Sequence, residues 1–139
     1  MILLDTSGLL SALFPDQRRH QECAGALRNA RPPLLLSPFI LAKMDDLIGK
    51  MAGVSIELEF LAEVARQAYG LVPFTATDVE EARGVIESYS GLDVGLARPS
   101  SFCRDGTAFG MCSHWMSAHF RPLRGVAGRP FRLYPLDSR

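Results

Sequence analysis

Ile2-Leu3-Leu4-Asp5-Thr6-Ser7-Gly8 is the stretch from which the rest of the chain can be read. Three apolar residues in a row, with no polar alternation, suit a strand buried on both faces, as in a parallel sheet. The run then ends at a carboxylate, two hydroxyls and a glycine, the composition of a strand-to-helix turn. Outward from there, residues 7–14 predict a short helix stopped by Pro15. Residues 17–30 predict a second, with Cys23, Ala24, Leu27 and Ala30 on one face. Pro32-Pro33 breaks it, and Leu34-Leu35-Leu36 repeats the apolar triplet as a second buried strand. Ser37 is placed to cap a third helix, with Pro38 at its first position, running to about Met51. Ser55 opens a helix in which Ile56, Phe60, Leu61 and Val64 follow the helical period. Leu71-Val72-Pro73-Phe74 reads as an edge strand, because proline cannot donate to a ladder. Thr77-Asp78-Val79-Glu80 has capping-box spacing, with Val79, Ala82, Ile86 and Tyr89 sharing the face behind it. Phe131 to Leu136 predicts a last strand. Strands alternating with helices give an α/β fold with a central, mostly parallel sheet in a single domain over 1–139.

Composition agrees. A chain of 139 residues buries roughly 68% of its unfolded surface, enough for one core. Its hydrophobic fraction of 47% and charged fraction of 22% exclude wholesale disorder. No apolar run reaches the roughly 18 residues of a membrane span. The start carries no basic leader, so a cytoplasmic protein without membrane contact is expected. Three cysteines, Cys23, Cys103 and Cys112, are too few and too badly spaced for a disulfide framework or a zinc knuckle. The net charge of zero hides a division. Residues 1–97 carry 8 Lys+Arg against 13 Asp+Glu, and residues 98–139 carry 7 against 2. Such a chain could hold a cation at one place and phosphates at another; a merely solvated basic tail is the plainer alternative.

Residues 98–118 break the style of the chain. These 21 residues contain no Leu, Ile or Val, while the other 118 contain 31, and neither helical nor strand periodicity survives there. Irregular structure of low local stability is expected.

Asp5 is the sharpest candidate for chemistry. A carboxylate at the carboxyl end of the first parallel strand sits where open α/β sheets place their ligands. Thr6 and Ser7 stand beside it as hydrogen-bonding support. The plain alternative is that Asp5 only caps the following helix. Taken together, Leu4-Asp5-Thr6-Ser7, then Leu34-Leu35-Leu36-Ser37-Pro38-Phe39-Ile40-Leu41-Ala42, then Leu92-Asp93-Val94-Gly95-Leu96-Ala97 resemble a VapC-type toxin, one of the small ribonucleases of the PIN-domain family. The resemblance covers residues 1–97 and resumes at His119-Phe120.

That resemblance implies a three-layer α/β/α PIN-like domain in which a cluster of carboxylates binds Mg²⁺ or Mn²⁺ and cuts RNA. It also implies a VapB-type antitoxin that blocks the site, and a homodimer. Asp5 matches the first acid, as metal ligand and catalytic residue. The second falls on Lys43, which could instead pair with Asp5; Asp46, one turn later, is a weak substitute ligand. The third falls on Arg98, and the fourth, due shortly before His119, is missing; Asp93 is a weak candidate nearby. Arg121 and Arg124 could contact RNA phosphates. The expectation is therefore an RNA-cutting toxin with impaired activity; the alternative is a non-catalytic remnant that only binds its antitoxin or itself. We read 98–118 as translated in a shifted frame. The residues Trp115 to Phe120 can be coded so that the neighbouring frame, with one inserted C removed, spells Leu-Asp-Glu-Arg-His-Phe, the strand end that the resemblance calls for.

Overall fold

The computed structural model describes residues 2–30, 33–88, 109–111 and 132–134. Ile2–Leu3 form β1, Thr6–Leu13 α1, His20–Asn29 α2, Leu34–Leu36 β2 and Pro38–Ala52 α3. Val54–Ala65 form α4, Gly70–Leu71 β3, Ala76–Ser88 α5, Phe109–Met111 β4 and Arg132–Tyr134 β5. The five strands make one sheet in the order β3-β2-β1-β4-β5, and every pairing in it is parallel.

The apolar triplets do what their composition requires. Ile2, Leu3 and Leu4 are all buried, and Leu4 at 1% and Leu36 at 0% exposure lie in the centre of the core. Ile2 and Leu3 stand opposite Leu34 and Leu35, and the Leu4 amide donates to the Leu35 carbonyl at 2.9 Å. Around them pack Leu9 of α1, Ile40, Met44 and Ile48 of α3, and Phe60 and Val64 of α4. On α2, Cys23, Ala24 and Ala26 are buried, with Cys23 and Ala26 packing against Ala12 of α1.

Caps explain the helix starts. Ser37 is buried and its hydroxyl accepts from the Ile40 amide at 3.3 Å, with Pro38 at the first turn. The α3–α4 turn is shorter than the expected start at Ser55 allows. Gly53 alone joins the two helices, with φ at +83°. Glycine takes that positive-φ region without a Cβ clash, and having no side chain it gives α4 no side-chain cap. The cap of α5 also lies two residues earlier than Thr77. Asp78 accepts from both the amide and the hydroxyl of Thr75 at 2.6 Å, so Thr75 and Asp78 form the reciprocal pair. Behind it Ala82 is buried, whereas Val79 is exposed, and Tyr89 lies outside the described residues.

The expectation of irregular structure at 98–118 is corrected for three residues. Phe109–Met111 pair with β1 on one side and β5 on the other, with Gly110 opposite Leu3. Main-chain pairing over three residues does not depend on branched apolar side chains, which is why composition missed it. The rest of that stretch, and with it the frame-shift reading, lies outside the described residues. No helix among the described residues is long and apolar enough to cross a membrane.

Candidate functional site

The strand order locates the site. The chain builds outward from β1 through β2 to β3, then returns to place β4 on the other side of β1. That reversal is the topological switch point of the sheet, and ligands of open α/β folds bind beyond the carboxyl ends of the strands that flank it. Asp5 follows β1 at this point, and is buried with 7% of its surface exposed.

Its surroundings are those of a helix cap. The Gly8 amide donates to Asp5 Oδ1 at 3.1 Å, and Oδ2 accepts from the Ser7 amide at 3.2 Å and the Ser7 hydroxyl at 2.7 Å. Thr6 is the first residue of α1 and half-buried. Burial pushes the Asp5 carboxyl up to about 6, although the hydrogen bonds from Ser7 and Gly8 pull it down. Capping and a place at the switch point are thus combined in one residue, where the sequence posed them as alternatives.

The other acids stand elsewhere. Asp46 is exposed on α3 and ion-paired with Lys50 at 2.6 Å, a solvated i,i+4 pair. The proposed pairing of Lys43 with Asp5 is absent from the ion pairs among the described residues. Lys43 is exposed to water on α3, while the Asp5 carboxylate is turned into the first turn of α1. No three His, Cys, Asp or Glu side chains among the described residues come together as a metal cluster. Asp93, Arg98, Arg121 and Arg124 lie outside the described residues.

One surface went unseen in the sequence. A groove of about 490 Å³ runs between the end of α1 and α4, with Leu13, Phe14, Ile48, Ile56, Leu58 and Tyr69 among its lining residues. Ile56 is 40% and Leu58 61% exposed, and Glu59 and Glu63 stand in the same wall. The signal was present in α4. Val54, Ile56, Leu58, Phe60, Leu61 and Val64 are more apolar positions than one buried face can use, and a helix apolar on several sides is made to be covered.

No protein-family profile matches the chain. It is 29% identical over 142 residues to Ribonuclease VapC26 of Mycobacterium tuberculosis, covering 96% of this chain and all of that one. Among solved structures it is similar to Mycobacterium tuberculosis VapC20, a toxin that cleaves the sarcin–ricin loop. The TM-score is 0.73 at 17% identity, over 89% of this chain and 99% of that one. It is also similar to VapBC2 from Rickettsia felis, solved bound to a promoter DNA fragment, with TM-score 0.64 at 13% identity over 96% and 99%. By sequence the chain is thus similar to a VapC ribonuclease, and its fold matches the PIN-like α/β/α architecture of the solved VapC structure.

Proposed function

We propose that this VapC-type chain is the toxin side of a toxin–antitoxin pair. It descends from enzymes that cut RNA phosphodiesters, and its own cleavage is impaired. The likeness to a VapC ribonuclease from end to end carries this reading, since it spans the relative's whole length. The place of Asp5 at the switch point supports it. So does the apolar groove, which gives an antitoxin segment a place to dock. The groove wall holds Glu59 and Glu63 against Arg66, so the docking segment is an amphipathic helix with basic flanks. The toxin works in the cytoplasm, where its RNA is, and pairs as a homodimer.

The ion that the family implies is Mg²⁺ or Mn²⁺. When bound, such an ion polarises a phosphodiester and readies a water for attack. Asp5 is the ligand it would use, and among the described residues no group of three His, Cys, Asp or Glu side chains forms to complete its site.

The partner half of the reading is tested with the small protein encoded beside this gene. It should bind the full chain and bind Leu58→Glu at least ~30-fold more weakly, because a charge would be buried in the apolar contact. Equal affinity for both would remove the groove from the reading. Incubation of the purified chain with RNA, with and without Mg²⁺, reads the other half, and at most slow cutting is expected. Rapid metal-dependent cleavage would show an intact enzyme.

A further inference from the structure

We infer that this chain keeps no resident divalent cation at the tip of β1. There Asp5 serves as the cap of α1, a conclusion that rests on the VapC-type reading above.

Three observations lead to it. First, both Asp5 oxygens are engaged, by the Gly8 amide on Oδ1 and by the Ser7 amide and hydroxyl on Oδ2. That uses about three of roughly four lone-pair positions, and the amino end of α1 already supplies positive potential where a cation would have to sit. Second, a divalent ion wants several oxygen ligands, and among the described residues no three His, Cys, Asp or Glu side chains gather around one point. Lys43 stands as an exposed cation where the resemblance calls for an acid, and Asp46 faces water with Lys50. Third, beyond Ala97 the chain has only 2 acids, Asp105 and Asp137, against 7 basic residues, and Arg98 takes the next position at which an acid is implied. By composition that part of the sequence offers a cation more like charges than ligands.

The test uses the full chain, its Asp5→Asn variant and Mn²⁺ alone as the probe. Asparagine keeps an acceptor oxygen for the cap and removes the charge. Free Mn²⁺ is followed by its electron paramagnetic resonance signal, and thermal unfolding is followed with and without the ion. The expected result is superimposable uptake by parent and variant, and no Mn²⁺-dependent shift of the parent's midpoint beyond that of the variant. Uptake equal in both chains places any ion away from Asp5 and leaves the inference standing. One Mn²⁺ per parent chain that is lost in Asp5→Asn overturns it. Because neither measurement involves the antitoxin, that result would leave the toxin–antitoxin reading intact. Failure of that reading would instead appear in the binding of the neighbouring gene's product.

Discussion

At the scale of single residues, Asp5 ties stability to pH. Its carboxyl, near 3.8 in an unfolded chain, is raised to about 6 by burial in the fold. Between those values the folded state holds the extra proton, so the contribution of Asp5 to stability is full below about pH 4 and is lost as pH rises through 6. The difference corresponds to about 3 kcal/mol as an order of magnitude, for a residue almost wholly withdrawn from water. Denaturant titrations should therefore show the parent gaining on Asp5→Asn as pH drops from 7 to 4. A constant gap would mean that the carboxylate is better solvated than its burial implies. Asp5→Ala, which deletes the cap outright, should cost about 1 kcal/mol relative to Asn at pH 7. A second residue sits under backbone strain. Gln67, just past α4, has φ at +64°, and its amide donates to the Val64 carbonyl while that of Ala68 reaches Glu63. This is a helix stop that glycine fills without a Cβ penalty. Gln67→Gly should raise stability by about 0.5–1 kcal/mol in urea unfolding.

At the scale of elements, the α3–α4 hairpin is set by two glycines with different tasks. Gly53 makes the turn at φ +83°, so Gly53→Ala should destabilise by about 1 kcal/mol or more, read from the unfolding midpoint. Gly49 makes room instead. A Cβ there would lie 2.6 Å from Glu57 Oε2, the free end of a flexible side chain, and could be accommodated by a swing of that carboxylate. Desolvation raises the Glu57 pKa, and the charge of Asp45 across the hairpin and a hydrogen bond with it add to the rise. Legibility in sequence followed how local each signal is. Ser37-Pro38 carries its cap and its first-turn proline within two residues, and the structure kept both. Thr77 and Thr75 both head a capping-box pattern, and only the chain's path out of β3 chooses between them. The strand at Phe109–Met111 was illegible because its partners, β1 and β5, are distant in sequence and its side chains carry no period.

At the scale of the whole molecule, strand order makes Asp5 a site candidate, and strand order is the property least visible in a single sequence. The alternation of strands and helices implied a parallel sheet, but not that β4 would return beside β1 and open the crevice there. The groove along α4 was hidden for a related reason, since it exists only once α1 and α3 are laid against that helix. Charge, by contrast, is legible without any fold. The acidic body and the seven arginines beyond Ala97 predict that whatever RNA binding the chain has is carried by its carboxyl-terminal part and is sensitive to salt. For single-stranded RNA each phosphate neutralised contributes about −0.7 to the slope of log K against log salt. If Arg121 and Arg124 each hold one phosphate, the double variant Arg121→Gln/Arg124→Gln should flatten that slope by about 1.4 and weaken binding similarly across sequences. An unchanged slope would reduce both arginines to solvated surface charge, and would leave any phosphate contact to the other five arginines beyond Ala97.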